Sequence, residues 1–268
     1  MSPEFKVFKA AMGIQWLKAG WVIFKTQPMT FVFMYLFIVI SALIPLIAPP
    51  LQILAAFASP FLTAGMYMAV ISKQQGKSIS LADILAPFSA KGRRLNLFRL
   101  GLYQMGVIIL LTLLADLLFS DAFAIMQEAT PNQQPDELLN AVLASLSMSD
   151  IMLFAIAHCV NLMAFAYALP LVFFKGETRI FKAIMQSLTV FQKNMAPLGL
   201  YGLMIALLIV ASIPLSMIPL LVIIPLSYIS FFVSFQAIFM ADETPSKPQD
   251  SVTQDSTSED NNTGRFDA

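Results

Sequence analysis

The chain is 268 residues long, with 58% hydrophobic and 12% charged residues and a formal net charge of zero, and its mean hydropathy is +0.76. Soluble domains carry about 25% charged residues, so this composition excludes an ordinary soluble domain and indicates one polytopic membrane domain. The single cysteine, Cys159, excludes an internal disulfide and argues against a cysteine-based metal site.

Residues 1–29 predict an N-terminal amphipathic helix at the membrane interface. Phe5, Phe8, Met12 and Trp16 recur at three- and four-residue steps, and lysines occupy other positions on the helical wheel. Lysine and tryptophan together suit a headgroup layer. Two roles fit this helix: packing on the cytoplasmic ends of other helices, and sensing lipid.

Six apolar runs follow, each long enough to cross a bilayer, which takes about 20 residues. They are residues 30–48, 51–72, 99–119, 150–174, 196–217 and 219–241. Residues 30–241 therefore predict an all-α polytopic transmembrane bundle of about six spans. Further interfacial helices are expected at residues 80–88 and 175–195. Residues 242–268 are polar and acidic, which predicts a disordered cytoplasmic tail.

Two features of the membrane domain concern its packing and its longest loop. Ala55, Ser59 and Thr63 form a small-residue stripe on the second span, which predicts close approach of a neighbouring helix rather than a substrate path. The loop 120–149 is acidic, has no lysine or arginine, and predicts a short amphipathic helix after Pro135.

Four polar side chains inside the predicted spans form a candidate intramembrane site: His158, Asn161, Asp116 and Gln104. Asn161 belongs to a face of small residues that should be buried, and His158 lies at the edge of that face. His158 is either a neutral imidazole bonded to a carbonyl or serine, or a group that handles a proton or metal. The absence of a second histidine disfavours the metal. Asp116 is about one turn from the end of its span, as a surface group or as a functional carboxylate.

Lysine and arginine are strongly segregated along the chain. Ahead of the tail they all fall in residues 1–29, 73–99 and 175–193, which the six-span scheme puts on one side. Short basic loops stay in the cytoplasm, so both termini are predicted to be cytoplasmic. The basic face should attract anionic lipid headgroups, at about 1 kcal/mol per charge. The candidate headgroup-binding residues are Lys18, Lys25, Lys91, Arg93, Arg94, Arg99, Lys175, Arg179, Lys182 and Lys193. Nucleic acid is not an expected partner, because these cations are tied to membrane ends.

Internal similarity predicts three parallel copies of one unit, an interfacial helix followed by a membrane hairpin. Arg99–Leu111 and Pro197–Ile209 share Leu-Gly-Leu-Tyr in register, and GKSISLADI from Gly76 parallels GETRIFKAI from Gly176. The copies would be related about the membrane normal.

A family resemblance covers most of residues 10–240, without the tail or the 120–149 loop. The stretches QWLKAGWVIFKTQP, SPFLTAGMYMAV and YALPLVFFKGETRIFKAIMQSL resemble the uncharacterised proteobacterial inner-membrane proteins of the YciC-like, six-span type. The resemblance implies a location in the bacterial inner membrane, and it supplies no catalytic residues.

The sequence bears on three classes of function. The first is a non-enzymatic membrane component that engages lipid headgroups or partner proteins through its basic interfacial helices. The alternative is a small-molecule or lipid transporter or channel that uses His158, Asn161 and Asp116. An enzyme is not expected, because no metal arrangement, nucleophile–base pair or glycine-rich phosphate loop is present. No cofactor is expected either.

Overall fold

The computed structural model describes residues 5–129 and 134–240, and the tail prediction for 242–268 lies outside them. The described residues are helical, without strands. The α-helices are α1 (Met12–Phe24), α2 (Pro28–Ile47), α3 (Gln52–Gln74), α4 (Arg94–Leu118), α5 (Ser120–Glu128), α6 (Pro135–Ser145), α7 (Met148–Ala166), α8 (Ala168–Phe173), α9 (Ile180–Lys193), α10 (Met195–Ser212) and α11 (Leu220–Phe239). Short 3₁₀ helices occupy Pro49–Leu51, Leu81–Ser89 and Ile213–Leu215.

Five segments are long and apolar enough to cross a membrane, and α1 with α2 makes a sixth if that pair is one broken span. The axes of α1 and α2 meet at 104°. α2 begins at Pro28, in the first turn where a missing backbone N–H costs nothing. This geometry confirms a polytopic helical bundle of five to six spans and indicates a multi-pass membrane protein.

The predicted boundaries needed three corrections. The third span begins at Arg94, not at residue 99, because nothing between these positions breaks a helix. The span 150–174 is divided at Tyr167 into α7 and α8. The loop 120–149 contains α5 as well as the predicted helix after Pro135, and α5 packs against α6. The interfacial segment over residues 80–88 is a 3₁₀ helix started by a capping box between Ser80 and Asp83.

The described elements follow the order interfacial helix, outward span, return span three times. The interfacial elements are α1, the 3₁₀ helix Leu81–Ser89 and α9. The first packs on α11, the second on α3, and the third on α7 and α8. Each therefore packs on the return span of the unit before it, and α1 closes the ring on the last unit. This pattern is in keeping with the three-unit prediction.

Glycine permits two of these contacts. A Cβ on Gly65 of α3 would clash with the backbone of Ile84 in the 3₁₀ helix, because it would lie 2.7 Å from the Ile84 Cα. A Cβ on Gly20 of α1 would lie 2.7 Å from the Cβ of Ser230 in α11. Both contacts bring helix backbones closer than any larger residue would allow.

The core is aromatic and centred on α11. Tyr67 of α3 stacks on Phe232 with ring centroids 4.7 Å apart, and Tyr167 stacks on Phe231 at the same separation. Trp16, expected in a headgroup layer, is buried instead, with its ring edge-on to Phe8. The buried face of α1 is formed by Gly13, Trp16, Gly20 and Phe24. Phe5 and Phe8 of the predicted stripe precede the helix, which begins at Met12.

The two Leu-Gly-Leu-Tyr copies share only part of their environment. Leu100 and Leu198, at equivalent positions, are both buried. Tyr201 is buried and its hydroxyl donates to the Ser227 carbonyl at 2.9 Å, whereas the equivalent Tyr103 is half exposed. The sequence match therefore marks equivalent core leucines rather than a shared polar site.

One end of the bundle, called the basic end, carries the described lysines and arginines and is tied together by polar contacts. The Gln27 side chain bonds both backbone groups of Ile79, accepting from its N–H at 3.1 Å and donating to its carbonyl. Asn194 accepts from the Phe8 N–H at 3.0 Å, and its own amide donates to the Lys6 carbonyl at 3.2 Å. These bonds join the segments that precede the outward spans to the bundle.

Candidate functional site

A cavity of about 660 Å³ lies among α3, α4, α7, α10 and α11, with one side chain each from α8 and α9. Sites for small ligands typically have volumes of about 300–1,000 Å³, so this one is large enough for such a molecule. It is mainly apolar, and its polar groups are hydroxyls and amides. The polar lining residues are Ser59, Thr63, Tyr67, Gln104, Asn161, Tyr201, Ser227 and Tyr228.

The cavity brings together two of the four predicted polar residues. Gln104 is ten residues after Arg94, about 15 Å along α4, and Asn161 is twelve residues before Phe173, about 18 Å along its span. Both amides therefore lie near the middle of the bundle. The Asn161 Oδ1 is buried and has no hydrogen-bond partner in the described structure, and such a group costs about 1–3 kcal/mol.

The tyrosines of the cavity differ in what they bond. Tyr201 is satisfied, with its hydroxyl 2.9 Å from the Ser227 carbonyl and 3.0 Å from the Ser230 hydroxyl. The hydroxyls of Tyr67 and Tyr228 have no hydrogen bond to a described residue. Together with the two amides they leave donors and acceptors available to a molecule in the cavity.

No charged side chain of the described chain lines the cavity. Ser59 and Thr63 border it, and Ser59 with Ala55 also borders a smaller recess of about 260 Å³ beside α4. The small-residue stripe therefore borders two spaces between α3 and α4, and α4 packs against α3 as a neighbouring helix.

The cavity has a side opening toward the surroundings of the bundle. α7 and α10 both line it, yet they do not form one of the main helix pairs of the described structure. Leu162 and Cys159 of α7 and Gly202 of α10 are all exposed and all contribute to its lining. The cavity is therefore open to the outside of the bundle between α7 and α10.

His158 and Asp116 lie elsewhere. His158 is exposed on α7, 6.3 Å from the Phe154 ring in a stacked arrangement, with no hydrogen bond to a described residue. The carbonyl or serine partner expected for it is not there, because the ring points away from the buried face of α7. Asp116 is exposed near the end of α4, where the surface-group interpretation put it.

The ten predicted headgroup-binding residues all lie at the basic end, and nine are exposed, while Lys182 is half buried. Three of them have partners within the chain. Lys175 donates to the Phe239 carbonyl at the end of α11, at 3.1 Å. Arg179 and Lys182 both pair with Glu177, at 3.7 and 3.0 Å. The positive charge of these three side chains is therefore partly neutralised by oxygen atoms of the protein itself.

Glu177 shows how these partners act. Burial opposes its ionisation, but hydrogen bonds from the Arg179 N–H and the Lys182 ammonium outweigh burial and hold the pKa of Glu177 below its usual value. The carboxylate is thus ionised, and it accepts a hydrogen bond from the backbone N–H of Arg179, the residue before α9.

The remaining cations form a cluster, the α4 cluster, made of Lys91, Arg93, Arg94 and Arg99. All four are exposed, and no described carboxylate pairs with any of them. The Arg93 guanidinium lies 5.8 Å from the centre of the Phe173 ring, which anchors one side of the cluster to α8. Along the sequence, residues 91–99 are the densest run of cations in the described chain.

Sequence reasoning missed the aromatic wall of the cavity. One signal could have found part of it: aligning Gly76 with Gly176 and reading nine residues back sets Tyr67 against Tyr167. Both are buried and both stack on α11. Tyr228 and Phe231 carry no comparable signal, since aromatic residues are common throughout the spans.

Among residues 5–129 and 134–240, no group of three or more histidine, cysteine, aspartate and glutamate side chains is placed to hold a metal ion. No family model, curated protein or solved structure matches the chain. The YciC-like resemblance therefore stays a prediction.

Proposed function

We propose that the chain is a non-enzymatic protein of the bacterial inner membrane whose basic cytoplasmic surface engages anionic lipid headgroups. The α4 cluster is the observation that carries this proposal. Four exposed cations without carboxylate partners attract phosphates far better than cations already paired inside the protein. Both termini are proposed to be cytoplasmic, as basic loops require, and the YciC-like family is proposed as the relative of this chain.

Removing the cluster tests the proposal. At about 1 kcal/mol per charge, changing Lys91, Arg93, Arg94 and Arg99 to glutamine should weaken binding of anionic lipid by roughly 4 kcal/mol, or several hundredfold, at low salt. The measurement is phosphatidylglycerol retained by the purified protein in native mass spectrometry, at two ionic strengths. Equal retention by the variant and the wild type would contradict a headgroup role.

A matched control removes four negative charges from the end of the bundle opposite the basic end. Asp121, Glu128, Asp136 and Glu137 are exposed on α5 and α6. Changing them to amides should not lower lipid retention, because these carboxylates repel phosphate. A drop of equal size in this control would mean that altered folding, not lost attraction, explains the result.

The proposed orientation has its own test. Replacing Cys159 by alanine and introducing cysteine at Asp121, or in another variant at Lys91, gives one reporter at each end. In intact spheroplasts a membrane-impermeant maleimide should label the first variant and spare the second. Labelling at Lys91 alone would overturn cytoplasmic termini.

The cavity favours a second candidate function, a carrier of small molecules or lipids. Its support is that Asn161 and Gln104 meet in one cavity, but His158 and Asp116 do not join them. A carrier should lose flux into liposomes when Asn161 becomes leucine, and it should keep that flux when His158 becomes alanine. Flux that depends on His158 would contradict this arrangement.

A further inference from the structure

The intramembrane cavity has the shape and chemistry of a binding site, independent of the headgroup surface at the basic end. Its volume of about 660 Å³ lies in the range of small-ligand sites. The Asn161 Oδ1 is one of two buried side-chain polar atoms of the described residues without a hydrogen-bond partner, the other being the Trp16 Nε1 outside the cavity. It marks a position for a donor from outside the chain.

The lining determines the charge of the ligand. No described acidic, basic or histidine side chain reaches the cavity, so an ionised group inside it would be desolvated without a counter-charge. Amides and hydroxyls instead match a hydroxyl group, which both donates and accepts, and carbonyl groups, which only accept. The ligand is therefore uncharged, with a polar head that forms several hydrogen bonds.

The opening determines how the ligand arrives. The gap between α7 and α10 faces the bilayer, and it is lined by exposed Leu162 and Gly202. A molecule that enters there is already dissolved in lipid, and its apolar part can stay in the gap while its head reaches the amides. This is the behaviour of an amphiphile with an apolar tail.

We propose that this cavity binds an uncharged amphiphile, whose hydroxyl-bearing head bonds Asn161 and Gln104 and whose apolar tail leaves between α7 and α10. Diacylglycerols and isoprenoid quinols share this chemistry, since both carry a hydroxyl. Phospholipids with a charged head do not, because their phosphate would have no counter-charge in the cavity.

The full chain in nanodiscs provides the test, with dioleoylglycerol and a ubiquinol as separate probes and dioleoylphosphatidylglycerol as the charged comparison. One of the uncharged probes should raise the melting temperature in a saturable way, and which one does so identifies the source. In Asn161→Leu and Gln104→Met the affinity should fall about tenfold or more, because the head loses a partner. His158→Leu, three residues away but outside the cavity, should bind like the wild type.

The native cysteine gives a second readout that needs no variant. Cys159 lines the cavity and is exposed, so an occupant should slow its modification by N-ethylmaleimide several-fold. This measurement holds even if Asn161→Leu fails to fold. The proposal is overturned if neither uncharged probe changes the melting temperature or the labelling rate. It is also overturned if dioleoylphosphatidylglycerol protects Cys159 as well as they do, or if a folded Asn161→Leu variant keeps full affinity.

Discussion

Replacing Gly65 by alanine tests how the 3₁₀ helix Leu81–Ser89 docks on α3. The added Cβ would meet the backbone of Ile84, whose Cα is 2.7 Å away, and carbon atoms pack at about 3.5–4.0 Å. The 3₁₀ helix must then move by roughly 1 Å. Ile84 and Ile79 are both buried, so this movement disturbs a packed layer. Overpacking of this kind costs about 1–3 kcal/mol, which corresponds to a fall of roughly 3–10 °C in melting temperature.

The assay is thermal unfolding of the purified protein in detergent, followed by tryptophan fluorescence, since Trp16 is buried in the core. Gly106→Ala on α4 is the matched control, because no heavy atom lies within 4 Å of a Cβ there. It should melt at the wild-type temperature or slightly higher, as alanine favours helix. If the melting temperature of Gly65→Ala equals that of Gly106→Ala, the close contact between α3 and the 3₁₀ helix is refuted.

Three further outcomes are expected. Gln27→Leu should lower the melting temperature, because both backbone groups of Ile79 lose their partner at about 1–3 kcal/mol for the pair. Glu177→Gln should destabilise the protein at pH 7. The lowered pKa of Glu177 in the folded state means that this contribution is present above its unfolded-state pKa of about 4.3. It disappears as the pH falls through the folded-state pKa, so the variant and the wild type should converge in acid, and a constant difference would contradict this. Tyr201→Phe should cost about 1 kcal/mol through its lost hydroxyl bond, whereas Tyr103→Phe, on an exposed side chain, should cost nothing measurable.

The helical spans could be predicted because hydropathy and proline position report directly on the bilayer and on the backbone. An apolar run near 20 residues has few alternatives to a helix in lipid, where every backbone polar group must be bonded within the segment. The helix bounds accordingly agree within a few residues for α2, α3, α10 and α11. α5 was missed because it is short and carries Asp121 and Glu128, and an acidic loop and an acidic helix look alike in sequence.

The cavity could be predicted only in part. Asn161 and Gln104 stood out because polar residues are rare in spans. His158 was predicted at the edge of the buried face, one position round the helical wheel from it, and about 100° per residue is enough to turn the side chain to the outer surface, where it lies. Hydroxyls and rings such as Tyr228 come from helices that are distant in sequence, and periodicity on one helix says nothing about which helix faces it.

Burial differs from one span to another, and this bears on the choice between binding and permeation. In α3 and in α11, half of the most apolar 18-residue stretch is buried, whereas in α4 and in α10 the buried share of that stretch is 17%. Toward the basic end the return spans are closed by the stacked pairs Tyr67–Phe232 and Tyr167–Phe231. A molecule in the cavity would have to separate these pairs to continue in that direction. Each pair contributes about 0.5–1.5 kcal/mol beyond its burial. The gap between α7 and α10 requires no such rearrangement, so entry and exit from the bilayer is the easier route, and the cavity suits retention of an amphiphile better than its passage through the protein.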